Sequence, residues 1–133
     1  MEWTVTAGRP VYLQLIEQLQ LAIVAGEYPP GARLPAVREL AAAAQVNPNT
    51  MQRALQELES RGLVLTQRTV GRTITEDTEL LKDLRKSSAL ELAQEFLRQV
   101  QGLGLSFEET LALLETAQKL LQAAQEAPHE EEK

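Results

Sequence analysis

The side chains best equipped for recognition chemistry crowd into one short stretch, VNPNTMQR at 46–53. Carboxamides such as Asn49 and Gln52 present a donor beside an acceptor, the pattern that pairs with an adenine edge, and a guanidinium such as Arg53 forks onto guanine. Thr50 adds a hydroxyl, and Asn47 opens the run just ahead of a proline. Further on, Arg68, Thr69 and Arg72 surround a turn, where such residues touch a phosphate backbone or a minor groove. Bond-making chemistry has no comparable foothold. The chain holds no cysteine, and its one histidine, His129, stands alone in an acidic end, so thiolate nucleophiles, disulfides and Cys-based zinc sites are excluded. No phosphate-cradling glycine motif appears. The expectation is a protein that is not an enzyme, with no catalytic residue, no metal site and no cofactor.

Charge decides whether such a stretch could meet DNA. The formal net charge is −6, but it is unevenly spread. Residues 1–74 hold seven Arg against six Glu, whereas residues 75–133 hold six Lys or Arg against thirteen Asp or Glu. Within 33–72 six Arg face three Glu. Screening limits a charge's reach to about 8 Å in physiological salt, so a basic face on an acidic protein still attracts phosphate locally. At 133 residues and 44% hydrophobic content, one small domain with an appendage is expected. No apolar run approaches the roughly 20 residues that span a bilayer, and the start MEWTVTAGRP lacks the pattern of a secretory signal. The expected setting is cytoplasmic, without membrane contact.

The elements that must position these residues follow from periodicity. Tyr12, Leu15, Ile16, Leu19 and Ile23 mark one face of a first helix opening near Pro10 and stopping at Gly26. The turn-rich YPPGARLP cannot continue it. A short helix over 36–44 buries Val37, Leu40 and Ala41. Two or three residues later a third helix begins, with Asn47 as cap, Pro48 in its first turn, and Val46 stapled onto Met51. Met51, Ala54, Leu55 and Leu58 form its inner stripe, which leaves Asn49, Thr50, Gln52 and Arg53 off it. This is the short connection of a helix-turn-helix. After Gly62 the period changes, and LVLTQ and RTIT read as strands flanking the turn RTVG. Helix, turn, helix and hairpin make a winged helix. The expected fold is mainly α with a small β-hairpin, its DNA-binding domain at 1–75.

From about Thr75 the pattern is helical again. A helix over 77–101 carries Leu81, Leu84, Phe96, Leu97 and Val100 near one face, with a drift of phase around Lys86–Ser88 that predicts a kink. Gly102 and Gly104 break it, and Ser106 with Glu109 forms a capping box for a last helix bearing Leu111, Leu114 and Leu121. Two amphipathic helices cannot bury these faces alone, and a second copy is the simplest cover. Residues 76–127 are therefore expected to be a dimerisation region, with Phe96, Leu97, Val100, Leu111, Leu114 and Leu121 at its interface, and 128–133 a disordered acidic tail.

Several dispersed motifs carry a resemblance. Y-x-Q-L at 12–15, G-x-Y-x-P-G at 26–31, LPAVRELA at 34–41, VNPNTM at 46–51, A-L-x-x-L at 54–58 and RGLV at 61–64 together resemble the winged helix of GntR-family transcription factors. VNPNT and the GLGLSFEE start of the last helix are similar to the YtrA-type subgroup, which implies two dimerising helices in place of a large effector domain and transporter operons among the targets. The resemblance also implies that Arg38 contacts DNA and that Arg68, Thr69 and Arg72 sit at the wing. This chain departs from the family at Ala36, usually Ser or Thr, which removes a cap worth about 1 kcal/mol. It departs again at Thr69, commonly Gly, and at Pro48, often Arg. The expected partners are a palindromic double-stranded operator and a second copy of the chain, with repression of its own or a neighbouring operon as the function. No residue set marks a small-molecule effector. The alternative is a winged helix that binds protein instead of DNA.

Overall fold

The apolar spacing between Leu15 and Ile23 produces α1 (Val11–Val24), with Leu15, Ile16, Leu19 and Ile23 all buried. The structure, a computed structural model, describes residues 1–127; the expected acidic tail at 128–133, with His129, lies outside the described residues. Pro10 serves as the N-cap of α1, one position ahead of the first helical turn. There follow α2 (Val37–Ala44), α3 (Pro48–Ser60), β1 (Val64–Gln67), β2 (Gly71–Ile74), α4 (Thr78–Gly102) and α5 (Phe107–Glu126). The chain divides into two compact units, Met1–Ala89 and Leu90–Lys133.

In the first unit the connection between α2 and α3 serves both helices at once. Gln45 donates its amide to the Ala42 carbonyl and Val46 to that of Ala41, closing α2 with a Schellman-type turn. That turn needs a left-handed residue, and Gln45 supplies it at φ 58, a conformation costing an L-residue roughly 1 kcal/mol or more. Val46 packs against the core, and the Asn47 Oδ1 accepts from the Asn49 amide at 2.8 Å to cap α3. The inner stripe of α3 is fully buried at Met51, Ala54, Leu55 and Leu58. Ala36 precedes α2 with no side-chain cap, as its lack of a hydroxyl dictates.

The wing is antiparallel, in register from Val64 opposite Ile74 to Gln67 opposite Gly71. A third edge joins it from the loop before α2. Leu34 donates to the Arg72 carbonyl and Ile74 to that of Ala32, both at 2.9 Å, and Arg33 stands opposite Thr73. Leu34, Val64 and Ile74 turn inward to the core. The first turns of α4 close it, with Leu81 buried and Leu80 and Leu84 against it, so the compact unit continues past Thr75 to Ala89. Arg85 Nε donates to the Val24 carbonyl at 2.7 Å, satisfying an end group of α1 that has no partner within its own helix.

α4 itself passes unbroken through Lys86–Ser88, where the phase drift suggested a kink. In the second unit a turn at Gly104 precedes α5, whose capping box forms as expected: the Ser106 hydroxyl accepts from the Glu109 amide and the Glu109 carboxylate from the Ser106 amide. Among the described residues little is buried beyond it. Along α5 only Thr110 is enclosed, while Leu111, Leu113, Leu114, Leu120 and Leu121 stay exposed.

Candidate nucleic-acid interface

With 51, 54, 55 and 58 turned inward, the opposite side of α3 carries Asn49, Gln52 and Gln56 at helical spacing. None of their side chains has a hydrogen-bond partner among the described residues, so three carboxamides stand ready along one row. Gln56 is the member that a focus on the helix start misses, although the i, i+3, i+7 spacing from Asn49 marks it. Thr50 flanks the row half-buried, and Asn47 commits its oxygen to the cap. The free amides at the helix start favour an anion there.

Two arginines flank this row differently from what their charge alone implies. Arg53 lies over the Tyr12 ring, 3.6 Å from its centroid, so the guanidinium is steered toward α1. Arg38 is exposed on α2 and makes no ion pair among the described residues.

The wing departs further from the pattern. Arg68 and Thr69 lie exposed in the turn 68–70. Thr69 carries no positive φ; the left-handed position falls on Gly71, at φ 92, so the missing glycine at 69 imposes no strain. Arg72, by contrast, is not a free cation at the tip. Strand alternation sets it on the same face as buried Ile74, and its Nε meets Glu59 Oε1 on α3 at 2.7 Å. The Thr66 hydroxyl donates to the same oxygen, also at 2.7 Å. These donors, Thr66 first and then Arg72, hold the Glu59 carboxyl below the usual carboxylate range, against partial burial that raises it. Arg33 takes the open position instead. It is exposed, has no acidic partner among the described residues, and its Nε lies 3.9 Å from where a Cβ on Gly71 would stand. Sequence reading passes over Arg33 because the segment looks like a plain loop until it pairs with β2.

The six apolar residues assigned to a dimer face divide three ways. Val100 is already buried within the chain, Phe96 and Leu97 are half-buried, and Leu111, Leu114 and Leu121 are 48%, 45% and 61% exposed. Among the described residues no cluster of acidic or histidine side chains could hold a metal ion, and no helix is long and apolar enough to cross a membrane.

Known proteins share this fold. The family of bacterial regulatory proteins called gntR matches residues 11–74. The chain is 39% identical over 110 residues to the uncharacterized HTH-type transcriptional regulator YhcF of Bacillus subtilis, covering 83% of this chain and 91% of that one. It is 41% identical over 71 residues to the HTH-type transcriptional repressor YtrA of the same organism, covering 53% and 55% of the two chains. Among solved structures, a GntR family transcriptional regulator from Listeria monocytogenes superposes with a TM-score of 0.75 at 34% identity, over 84% of this chain and 98% of that one.

Proposed function

Because the chain belongs to the gntR family of bacterial regulatory proteins, as a transcriptional regulator with a winged helix-turn-helix DNA-binding domain, we propose that it is a homodimeric repressor of its own or a neighbouring operon. The operator is a palindrome, and the setting is the cytoplasm. Residues 1–75 bind the DNA, and 76–127 join the two copies. The observation that carries the reading is the row Asn49, Gln52 and Gln56: unpartnered carboxamides on a helix whose other face is locked into a core. Such groups pair with adenine edges in the major groove. Arg38, Arg53, Arg68 and the newly placed Arg33 supply phosphate contacts around that row, Thr50, Thr69 and Asn47 add lesser ones, and Arg72 acts mainly through Glu59. Repression is carried over from the similarity to the YtrA repressor.

Dimerisation rests on α5. Leu111, Leu114 and Leu121 leave one side of a helix apolar and open, with Phe107 exposed a turn earlier. Contiguous apolar surface of this kind marks a protein interface. Two copies place two recognition helices on successive major-groove faces, about 34–36 Å apart.

Selection of bound sites from random DNA tests the whole reading. The expected result is an inverted repeat with half-sites about one helical turn apart, for which the logarithm of the binding constant falls linearly with the logarithm of salt concentration. Gln52→Ala should alter the selected bases in both half-sites. No enriched site, or binding indifferent to salt, would remove DNA reading as the function of this row; an enriched single half-site would remove the dimer.

A further inference from the structure

An acidic residue on a DNA-reading helix is out of place by charge, and Glu59 is such a residue. Its carboxylate is turned toward the wing, where one oxygen collects the Thr66 hydroxyl from β1 and the Arg72 Nε from β2. Thr66 and Arg72 are direct partners across the hairpin, so a single atom of α3 grips both strands at the same level. Beyond that level only the Gln67–Gly71 pair and the turn 68–70 remain. The base of the hairpin is anchored by Val64 and Ile74 in the core. The ladder ties strand to strand, and the Leu34 amide holds the Arg72 carbonyl from the loop before α2, but neither ties the hairpin to α3. Only the Glu59 contacts tie the outer half to α3 by hydrogen bonds. The Arg72 and Glu59 side chains are 19% and 30% exposed, so this pair is less screened than a surface ion pair.

We propose that Glu59 is a positioning residue for DNA binding: it sets the tilt of the wing against the recognition helix, so that Arg68 and Thr69 reach the duplex while α3 lies in the groove. Glu59 touches no DNA itself. The proposal rests on the reading of the wing as a DNA contact. It also explains why Arg72 is drawn inward while Arg33 and Arg68 stay free: the inner arginine neutralises the acid that holds the hairpin.

The sign of one substitution separates this role from simple electrostatics. Removing a negative charge beside DNA should by itself tighten binding. Releasing the wing should weaken it, by about 3- to 10-fold for the ordering that must then be paid at each encounter. Affinity for the selected operator is therefore measured with the full chain for the unmodified protein, Glu59→Ala, Arg68→Ala and the double variant, each checked by thermal melting. The expected result is weaker binding by Glu59→Ala with the Arg68 side chain present, and less than about a twofold further loss once Arg68 is Ala, because the two act through one contact. Glu59→Gln, which keeps an oxygen acceptor for both donors, should restore binding to at least the unmodified level and guards against a folding defect in the alanine variant. Unchanged or tighter binding by Glu59→Ala overturns the proposal, as does an equal loss with and without Arg68, or Glu59→Gln binding as weakly as Glu59→Ala. If Arg68→Ala alone costs nothing, the wing reading fails and the proposal with it; if Arg68→Ala costs affinity and Glu59→Ala does not, the proposal alone fails.

Discussion

Both compact units are built largely from Leu and Ala at helical spacing, yet they bury them differently. In Met1–Ala89 the repeated apolar residues of α1, α2 and α3 meet each other, the hairpin and the start of α4, and a continuous set from Leu15 to Leu81 is enclosed. Among the described residues from Leu90 onward, Val100 and Thr110 are the buried ones, while the leucines of α5 face outward. Amphipathic pattern alone thus does not tell a helix that completes a core from one that leaves its apolar face open. The deciding factor is how many other apolar faces the same chain brings to it. Three helices and a hairpin supply them in the first unit; a helix pair does not in the second.

The largest expected effect tests the open side. Leu114→Glu with Leu121→Glu should yield monomers whose winged helix still melts cooperatively, and palindrome affinity should drop by about a hundredfold or more as the linked second binding event disappears. Sedimentation that still finds dimers at micromolar concentration would place the contact elsewhere and leave α5's leucines unexplained. On the enclosed side, Leu55→Ala removes a fully buried side chain and should cost about 2–5 kcal/mol in denaturant unfolding. A loss under about 1 kcal/mol would mean that this core is not tightly packed, and the contrast between the units would collapse.

A smaller effect separates surface from core within the first unit. Arg38→Ala should weaken operator binding by about 1–3 kcal/mol and leave the melting temperature unchanged, since the side chain is exposed and unpaired among the described residues. An unaltered affinity would remove α2 from the DNA-facing side. Smallest of all, Ala36→Ser restores the absent cap of α2 and should raise unfolding free energy by about 1 kcal/mol. No gain would show that another group already satisfies the first amides of α2.

Much of the fold is legible without coordinates because its signals are local. The Asn47 cap and the Ser106–Glu109 box each lie within one helical turn, and each forms where the residue types require. The stripe of α3 likewise leaves its polar row by elimination. Long-range pairing was not legible. Arg72 reads as a wing arginine and Arg33 as part of a plain loop, and only the strand pairing shows that Arg72 shares a face with Ile74 while Arg33 stands opposite Thr73 on the other. Arg53 and Tyr12 meet across 41 positions of sequence to make a stack that neither residue announces.

By itself, then, the sequence determined the order of the elements, their caps and the residue types offered to a partner, because helix periodicity and capping act over three or four positions. Tertiary structure alone decided which cations are free, which acid holds the wing, and that Val100 is covered while Leu111, Leu114 and Leu121 are not. Those outcomes depend on which surfaces the folded chain brings together, and ion pairing and burial are settled by neighbours distant along the chain.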